Sequence, residues 1–339
     1  MESMIVAVDV MGGDNAPVEP IKGAIEALKQ NDNLVIHLVG TESVIREVLD
    51  TIPDANTYKN RYSIVATTEV IATAESPTVA IAKKKDSSLV VAMKEVKTKD
   101  AQAMVSAGNS GAILVGGQVL VGRLPGVKRA PLAPLIPTEK GPALLIDCGA
   151  NLDARPELLV QFAEMGSIYM EKVMKVDRPR VAIVNVGAEE EKGNKLVKET
   201  FPLLKALDDI NFIGSIEARD IPSGYADVIV TEAFVGNVIL KMYEGVGKTF
   251  FKLLKEAFTA NLKSKLGAGL ALPVLKEKLK DFDVTRYGGA PMLGLNGLVV
   301  KTHGSATAKE FTTSILQCIT FRDQNIKELI RENLSKGEN

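Results

Sequence analysis

The sequence contains no tryptophan, only two cysteines and two histidines in 339 residues, and only 5% aromatic side chains. Two cysteines, Cys148 and Cys318, cannot build a disulfide framework, and with only His37 and His303 beside them a zinc site is not expected. The scarcity of aromatic rings argues against base-stacking surfaces. The formal net charge of −1 gives no reason to expect a nucleic acid partner. We therefore predict no metal, no cofactor and no nucleic acid, with magnesium held by carboxylates as an open alternative.

Long apolar runs and a basic leader are also lacking. No run approaches the roughly 20 residues that a membrane-spanning helix needs, and no basic region precedes the first apolar segment. Hydrophobic residues make up 46% of the chain and charged residues 24%, which is typical of globular proteins. These features predict a cytoplasmic protein.

Short runs of Val, Ile and Ala alternate with helical patterns along most of the chain. Predicted strands cover residues 5–8, 34–39, 63–66, 103–106, 143–147, 180–185, 211–213, 228–231 and 298–300, and predicted helices include 17–30, 156–175 and 192–207. Continuous apolar strands separated by helices are typical of a largely parallel sheet covered on both faces. We predict an α/β fold, an α/β/α (Rossmann-like) sandwich, formed as one two-lobed unit over residues 1–339. The proline-rich segment 125–142 is the predicted crossover or lobe boundary.

Glycines stand beside Asp, Asn or Ser after at least five of the predicted strands. Because ligands of open α/β sheets bind beyond the carboxyl ends of the strands, we expect these loops to converge on one cleft. The residues predicted to bind phosphate or substrate there are Asp9, Gly12, Gly13, Asp14, Ser106, Gly108, Asn109, Ser110, Gly111, Asn151, Asn185, Gly187, Asn237, Gly288 and Gly289.

The loop at residues 106–112 shows why an anion is expected. It leads from a buried strand into an apolar helix, and the free N–H groups at a helix start favour negative charge. Its glycines allow backbone to approach a ligand closely. The alternative is an ordinary strand-to-helix turn with Ser110 as the N-cap.

Three residues are candidates for the chemistry itself. Lys192 stands at a predicted helix start, where a lysine is not electrostatically favoured, so it is a candidate to bind phosphate or an oxyanion, with a solvated surface lysine as the alternative. His303 follows a predicted strand and is a candidate general acid or hydrogen-bond donor to phosphate. The alternative is that it caps its own loop. Asn194 joins Lys192 as a candidate for charge stabilisation. We expect Cys148 and His37 to be core residues.

Residues 250–280 form a different pattern, with apolar side chains three or four apart and lysines between them, including Lys280. This pattern predicts an amphipathic helical hairpin, in which Pro273 breaks the helix and the uncharged segment 266–272 forms the tip. Such a hairpin suits a dimer interface, reversible contact with an anionic membrane surface, or both.

Several familiar motifs are missing. No G-x-G-x-x-G follows the first predicted strand, no G-x-S-x-G is present, and Gly247-Lys248-Thr249 lacks the first glycine of a phosphate loop. The motifs that are present lie at residues 9–14 (DVMGGD), 106–112 (SAGNSGA), 147–151 (DCGAN), 185–187 (NVG), 192–194 (KGN), 217–219 (EAR), 234–238 (FVGNV), 287–290 (YGGA) and 303–305 (HGS). Taken in this order they resemble the phosphate acyltransferases of bacterial phospholipid synthesis, the PlsX family, across residues 4–320.

The resemblance implies a reaction in which acyl-[acyl carrier protein] and inorganic phosphate give acyl phosphate and free carrier protein. It also implies a homodimer, a fold similar to isocitrate dehydrogenases and phosphotransacetylases, and a membrane-bound glycerol-3-phosphate acyltransferase (PlsY type) that takes the product. The protein would then associate peripherally with the inner face of the cell membrane, through residues 250–280.

The residue chemistry is consistent with this reaction, because phosphate is itself the nucleophile and no activated Ser or Cys is needed. Our hypothesis assigns Ser106, Asn109 and Ser110 to phosphate, Lys192 and Asn194 to charge stabilisation, and His303 to proton donation or binding. Three alternatives stay open: a phosphotransacetylase acting on acyl-coenzyme A, a non-enzymatic protein that binds an anionic ligand at the membrane, and, more weakly, an NAD-dependent decarboxylating dehydrogenase.

Overall fold

The computed structural model describes residues 3–279 and 284–335 of the chain. The chain divides into two units, each with its own sheet. Unit 1 takes in Met1–Pro134, Ile168–Val176 and Thr285–Asn339, and unit 2 takes in Leu135–Ser167 and Asp177–Val284. The first division falls inside the proline-rich segment 125–142.

Unit 1 contains a six-stranded sheet that is parallel except at one edge. Its strands are β1 (Met4–Asp9), β2 (Leu34–Gly40), β3 (Tyr62–Ala66), β4 (Ala103–Ser106), β10 (Ala290–Met292) and β11 (Leu298–Lys301). They lie in the order β10-β11-β4-β1-β2-β3, and β10 pairs antiparallel with β11. The parallel strands β11, β4 and β1 therefore end at the same edge of the sheet.

Helices cover this sheet, as its apolar strands require. They are α1 (Val18–Gln30), α2 (Glu42–Asp50), α3 (Pro77–Lys83), α4 (Ser88–Thr98), α5 (Ser110–Gly116), α10 (Ala308–Asp323) and α11 (Ile326–Ser335), with a 3-10 helix at Ala55–Arg61, another at Val284–Tyr287, and a π-helical turn at Gly117–Val121. All residues of β1 except Ile5 are buried, which is the pattern of a strand packed on both faces.

Helices α1 and α10 pack at a distance that only a glycine permits. A Cβ atom on Gly23 of α1 would lie 2.5 Å from Cβ of Phe311 and 2.7 Å from the Ala308 carbonyl oxygen. The Thr312 hydroxyl donates to the Gly23 carbonyl at 3.0 Å, which further fixes the crossing. Because α1 follows the β1 loop and α10 follows the β11 loop, this packing holds the two loops next to each other.

Unit 2 contains a five-stranded sheet of the same kind. Its strands are β5 (Leu135–Thr138), β6 (Gly141–Ile146), β7 (Arg180–Val184), β8 (Asn211–Ile216) and β9 (Val228–Val230), in the order β5-β6-β9-β7-β8, and its helices are α6 (Pro156–Lys172), α7 (Lys195–Lys205), α8 (Ala233–Thr259) and α9 (Leu262–Lys278), with a 3-10 helix at Ala218–Ser223. The last residues of α6, from Ile168 onward, belong to unit 1. All strand pairs in this sheet are parallel except the β5–β6 hairpin.

The predicted alternation of parallel strands and helices is confirmed, but two strands were missed. β5 lies in the segment predicted as a crossover, and β10 lies in the glycine-rich loop that begins at Tyr287. Each contains a proline, Pro137 or Pro291, and each is an antiparallel strand at a sheet edge, where a missing N–H is tolerated.

The helical hairpin exists, but its predicted geometry is wrong. The turn lies at Ala260 and Asn261, where the Asn261 side-chain oxygen caps α9 by accepting from the Ser264 N–H at 3.0 Å. Pro273 lies inside α9 without ending it, so residues 266–272 are mid-helix rather than a tip. The turn that we predicted at Pro273 therefore lies at the N-cap of α9 instead. Lys280 lies outside the described residues.

Helix α9 leaves much of its apolar surface in solvent. Leu262, Leu266 and Leu270 are 75%, 68% and 85% exposed, and in α9 only Ala268 is buried. Among the described residues, no helix is both long and apolar enough to cross a membrane.

Candidate functional site

The loops after β1 and β4 meet backbone to backbone. A Cβ atom on Gly12 would lie 2.8 Å from the Gly108 nitrogen and 2.9 Å from its Cα, so no larger residue fits. Gly13 has φ +101°, in the region that favours glycine, and its Cβ would lie 2.8 Å from Cβ of Ala107. The two loops therefore form one continuous main-chain surface at the carboxyl edge of the unit 1 sheet.

A buried carboxylate lies beneath this surface. Asp9 is 1% exposed, and its Oδ2 accepts the hydroxyl of Ser106 at 2.7 Å while its Oδ1 accepts the Met11 N–H at 3.2 Å. Burial raises the pKa of the Asp9 carboxyl, and hydrogen bonds, the strongest from Ser88, oppose that rise. The Ser106 oxygen also accepts the Gly108 N–H at 3.0 Å. Asp9 and Ser106 thus set the shape of both loops from below.

Asn109, rather than Ser110, caps α5. Its Oδ1 accepts the Ala112 N–H at 3.0 Å, and its Nδ2 donates to the carbonyls of Ala72, Thr73 and Glu75 at 3.0–3.1 Å. These bonds tie the loop after β3 to the loop after β4. Ser110 is exposed at the first position of α5, where helix N–H groups have no intrahelical acceptor.

The loop after β11 joins the same surface. The Asp14 N–H donates to the Gly304 carbonyl at 2.7 Å, and Asn15 Nδ2 donates to the carbonyls of Ser305 and Ala306 at 3.0 and 3.2 Å. Glu19, in the first turn of α1, accepts the Ala308 N–H at 2.7 Å. The β1 and β11 loops are therefore held together at Asp14 and Asn15, and Glu19 ties the start of α1 to the start of α10.

His303 projects from this joined loop and is exposed. Its Nδ1 accepts the Ser305 N–H at 3.2 Å and lies 2.8 Å from the Ser305 hydroxyl. A ring nitrogen that accepts from a backbone N–H carries no proton itself, so the proton of the neutral imidazole lies on Nε2. The histidine does cap its own loop, and that same bond sets the tautomer.

Gly288 and Gly289 lie beside the end of β11. A Cβ atom on Gly289 would lie 2.7 Å from the Lys301 carbonyl oxygen, and Gly288 has φ +98°. The buried side chain of Gln317 donates to the Gly289 carbonyl at 3.2 Å. The YGGA motif at residues 287–290 thus ends in strand β10, which begins at Ala290.

In unit 2, Asp147 and Asn151 organise the loop after β6. Asp147 is fully buried, and its Oδ2 accepts both the N–H and the Nδ2 of Asn151 at 2.8 and 2.7 Å. A Cβ atom on Gly236 would lie 1.9 Å from the Asp147 carbonyl oxygen, so the start of α8 packs directly on this loop. Glu232 caps α8 through the N–H groups at its start.

The loop after β7 carries Lys192 and is organised by Asn185. Asn185 Nδ2 donates to the Lys192 carbonyl at 3.2 Å and to the Ser215 hydroxyl at 3.1 Å. Gly193, with φ +101°, leaves room for Asn185 Oδ1, which a Cβ there would approach to 2.4 Å. Asn185 is therefore the internal support of this loop.

Lys192 itself lies three residues before α7, which begins at Lys195 rather than at the predicted position. Its side chain is 51% exposed, and its Nζ lies 2.8 Å from Oε2 of Glu189. The hydrogen bond with Glu189 raises the pKa of Lys192, so the ammonium form is favoured. Asn194 caps α7 by accepting the Val197 N–H at 2.9 Å.

The predicted site residues thus fall into two groups. Unit 1 holds Asp9, Gly12, Gly13, Asp14, Ser106, Gly108, Asn109, Ser110, Gly111, Gly288, Gly289 and His303, and unit 2 holds Asn151, Asn185, Gly187, Lys192, Asn194 and Asn237. The side chains of Ser106, Asn109 and Asn194 bond within the protein, which favours support of the loops over direct ligand contact. Asn237 is exposed on the first turns of α8. The convergence of all these loops on one ligand stays a prediction.

Sequence reasoning missed the supporting residues Asn15, Glu19 and Gln317. Asn15 stood in a recognised strand-end loop, so its position carried a signal. Glu19 and Gln317 act through contacts with residues far away in sequence, which no local pattern reveals.

We next consider side chains that could ligate a metal ion and the two cysteine thiols as nucleophiles. The described residues contain no group of three or more His, Cys, Asp or Glu side chains that could hold a metal ion. Cys148 and Cys318 are buried, and burial raises the pKa of both thiols. The expectation that Cys148 is a core residue is confirmed, while His37 is partly buried and pairs with Glu95 at 2.8 Å.

Comparison with known proteins gives consistent matches along nearly the whole chain. A family model described as "Fatty acid synthesis protein" matches residues 4–329. The chain is 46% identical over 332 residues to a phosphate acyltransferase of Alkaliphilus oremlandii, with 98% of each chain covered. It is 43% identical over 333 residues to a phosphate acyltransferase of Clostridium novyi, with 98% of this chain and 99% of the relative covered.

Solved structures with the same fold are more distant in sequence. A phosphotransacetylase from Streptococcus pyogenes matches with a TM-score of 0.61 and 16% identity over 94% of each chain. A branched-chain phosphotransacylase from Enterococcus faecalis matches with a TM-score of 0.53 and 16% identity, over 94% of this chain and 98% of that one. At such identity the likeness concerns the fold, and it confirms the predicted phosphotransacetylase-like α/β architecture.

Proposed function

Because the chain belongs to the phosphate acyltransferase (PlsX) family, we propose that it moves a fatty acyl group from acyl-[acyl carrier protein] to inorganic phosphate. Family membership makes it a transferase. The acyl donor, the fate of the product and the roles of individual residues are the parts that we propose.

The observation that best supports the proposal is the main-chain surface of unit 1. Gly12 and Gly108 approach so closely that no side chain separates them, and Asp14 bonds directly to Gly304. The small residues let a compact dianion such as phosphate approach the backbone closely, and the N–H groups at the start of α5 have no intrahelical acceptor and are the proposed donors to it. The Asp9 carboxyl lies beneath this surface and accepts hydrogen bonds from Met11 of its own loop and from Ser106 at the end of β4, so it supports both loops.

The same arrangement is unsuited to a covalent acyl-enzyme. Ser106 is fully buried, and both thiols are buried with raised pKa values. An acyl group has no accessible nucleophile among these three side chains. Attack by phosphate itself removes the need for one.

The proposed reaction balances in atoms and charge. A phosphate oxygen of HPO₄²⁻ bonds to the thioester carbonyl carbon, the tetrahedral intermediate collapses, and the C–S bond breaks to give acyl phosphate. Phosphate loses its proton in the reaction, and the carrier-protein sulfur gains one and leaves as the free thiol. His303 is the proposed general acid that protonates the leaving sulfur from its imidazolium form, and in its neutral form it is proposed to bind a phosphate oxygen through the Nε2–H.

Lys192 is the proposed stabiliser of the negative charge on the tetrahedral intermediate. Its ammonium is exposed and is held near Glu189 rather than buried in a network. A cation on a glycine-flanked loop can reorient toward a developing oxyanion more readily than one packed in the core. Asn194, which caps α7, supports the position of that loop.

Trapping of acyl phosphate tests the reaction. The purified protein is incubated with acyl-[acyl carrier protein] and phosphate, and hydroxylamine converts the acyl phosphate to a hydroxamate. We expect hydroxamate that depends on phosphate, together with equimolar free carrier-protein thiol. A matched assay with acyl-coenzyme A separates the donors: higher kcat/KM for the coenzyme A thioester would establish the phosphotransacetylase alternative.

We further propose that the product is passed to a membrane-bound glycerol-3-phosphate acyltransferase (PlsY type) for phospholipid synthesis. Acyl phosphates hydrolyse readily, so a short transfer distance is an advantage. The exposed leucines of α9 support peripheral contact with the inner face of the cell membrane by a cytoplasmic protein. They are equally suited to a homodimer interface. We therefore propose a homodimer in which the apolar residues of α9 that lie outside the interface contact the membrane.

A further inference from the structure

Gln317 is an unusual residue for its place in the fold. It lies in the middle of α10, is 6% exposed, and has Phe311, Ile315 and Cys318 as buried neighbours on the same helix. A polar side chain in such surroundings is unfavourable unless its hydrogen-bonding groups find partners. The contacts of its carboxamide therefore show what the residue does.

The nitrogen of the carboxamide is fully used. Gln317 Nε2 donates to the Gly289 carbonyl at 3.2 Å and to the Tyr169 hydroxyl at 3.0 Å. Tyr169 is fully buried, and burial raises its pKa to about 12, so it is a neutral phenol. The two amide hydrogens thus point at one backbone carbonyl and one buried hydroxyl.

The oxygen of the carboxamide lies against Gly288. A Cβ atom on Gly288 would lie 2.3 Å from Gln317 Oε1, and Gly288 has φ +98°. Within the part of the chain that the structure describes, Oε1 is buried and has no hydrogen-bond partner. An apolar residue of the same length would avoid that unfavourable acceptor, but it would give up both N–H bonds.

The contacted glycines lie at the edge of the sheet that carries the other loops of unit 1. Ala290 pairs with Lys301 at the end of β11, and a Cβ on Gly289 would lie 2.7 Å from the Lys301 carbonyl oxygen. The backbone at Gly288 and Gly289 is thus held between Gln317 on one side and the end of β11 on the other. The β11 strand continues directly into the His303 loop.

We propose that Gln317 is a positioning residue, which holds the Gly288–Gly289 backbone in the conformation that phosphate binding requires. The proposal rests on the proposed function, in which the loops of unit 1 bind inorganic phosphate. Gln317 acts only through the Gly289 bond and the backbone that this bond holds, whereas the Tyr169 hydroxyl satisfies the second amide hydrogen and contributes to packing.

Two substitutions separate this role from simple packing. Gln317→Met keeps the length of the side chain and removes both donors, whereas Tyr169→Phe removes only the hydroxyl and leaves the bond to Gly289. We expect Gln317→Met to raise the KM for phosphate at least five-fold, with kcat and the KM for the acyl donor within about two-fold of wild type. We expect Tyr169→Phe to lower the melting temperature without changing the KM for phosphate.

Phosphate binding without turnover gives a second readout. Titration calorimetry with inorganic phosphate alone is carried out on wild type, Gln317→Met and Tyr169→Phe, and Gln317→Leu replaces the methionine variant if circular dichroism shows that the latter is unfolded. The expected weakening is again at least five-fold for the Gln317 variants only. Unchanged phosphate affinity in a folded Gln317 variant, or an increase only in the KM for the acyl donor, would overturn the proposal.

The outcome for wild type separates the two hypotheses. Wild type that binds phosphate but makes no acyl phosphate contradicts the proposed function, and the calorimetric comparison still decides the role of Gln317. Wild type that makes acyl phosphate with Gln317→Met at equal phosphate KM contradicts the positioning role alone. Wild type that neither binds nor reacts contradicts both.

Discussion

The side-chain nitrogen of Asn15 donates to the carbonyl oxygen of Ser305, 290 residues later in the chain, at 3.0 Å. The same nitrogen reaches the Ala306 carbonyl at 3.2 Å. One amide thus closes the β1 loop onto the loop that carries His303. This bond matters because His303 Nδ1 accepts from Ser305, so the orientation of the imidazole depends on where Ser305 is held.

Removal of this amide should affect activity more than stability. We expect Asn15→Ala to lower the free energy of unfolding by about 1 kcal/mol, since hydrogen bonds at partly exposed sites contribute modestly, and to lower kcat about ten-fold because the His303 loop loses its anchor. Urea unfolding and steady-state kinetics measure the two effects. Asn211→Ala, which breaks an exposed bond to the Arg178 carbonyl in unit 2, is the matched control. An equal loss of activity in both variants would argue against a specific role for Asn15.

The charge of Lys192 should matter and that of its neighbours should not. We expect Lys192→Ala to lower kcat by about 10²-fold, the order found when a group that stabilises an oxyanion is removed. Lys205→Ala, which breaks the pair with Glu190 at 2.6 Å, removes the same charge nearby and should leave kcat unchanged. Full turnover of Lys192→Ala at saturating phosphate would remove this residue from the mechanism.

Two glycines with nearly the same φ angle allow the cost of backbone strain in an alanine variant to be separated from the cost of steric overlap of its Cβ atom. Gly13 has φ +101° and Gly214 has φ +100°, but a Cβ on Gly13 would lie 2.9 Å from the Gly304 carbonyl oxygen, whereas one on Gly214 would meet nothing within 4 Å. Gly214→Ala should cost about 1–2 kcal/mol from backbone strain alone. Gly13→Ala should cost about 1–3 kcal/mol more and reduce activity at least ten-fold, because the loops must separate.

Thermal unfolding with activity assays on both variants checks this comparison. Equal melting temperatures and equal activities in the two variants would show that the close approach of the β1 and β11 loops is unimportant.

Glu164 of α6 predicts a measurable dependence of stability on pH. Burial, reinforced by the charge of Asp209, raises the pKa of Glu164 from 4.5 to about 7. The folded protein therefore binds more protons than the unfolded chain between these values, so stability falls as pH rises through that range and levels off above about 7. The displacement from 4.5 to about 7 corresponds to about 3 kcal/mol.

Replacement by a neutral residue should remove this loss. We expect Glu164→Gln to be more stable than wild type at pH 8 and to differ little from it at pH 4, as measured by urea unfolding at a series of pH values. Glu171→Gln, at an exposed position of the same helix, should keep the wild-type profile. A constant difference between Glu164→Gln and wild type at all pH values would exclude the titration of Glu164 as its cause.

The exposed face of α9 should bind anionic vesicles. We expect Leu266→Gln together with Leu270→Gln to reduce co-sedimentation with vesicles of anionic phospholipid several-fold, because these side chains are 68% and 85% exposed and have apolar surface to insert. Leu203→Gln, on α7 and 46% exposed, is the control. Analytical ultracentrifugation of the same variants shows whether the leucines serve a dimer interface instead.

The positions of the parallel strands were accessible from sequence, because apolar runs and the turn residues that follow them are local signals. The apolar run at Met104 and Val105 predicted a strand, and the small residues after it marked the turn, whereas the place of β4 inside the sheet is known only from the structure. β5 and β10 were missed because Pro137 and Pro291 are tolerated only where a strand has one free edge, and edge position is a property of the assembled sheet.

The candidate site was predictable as a set of loops but less so residue by residue. Asn109 and Ser106 have the composition of ligand-binding residues, yet their polar atoms bond to Ala72 and Asp9. Whether an amide faces a ligand or a neighbouring loop depends on contacts across the fold. The predicted helix break at Pro273 was wrong for a related reason, because the turn between α8 and α9 lies at Asn261 and Pro273 is inside α9.

The order of the units along the chain has a consequence for synthesis. Unit 2 lies in sequence between β4 and β11, which pair directly in the sheet of unit 1. During translation β4 therefore leaves the ribosome as an unprotected edge strand, and it stays so until the whole of unit 2 and the β10–β11 pair have been made. Of the loops proposed to bind the anion, the His303 loop is made last, so a nascent chain that ends before residue 305 cannot complete them.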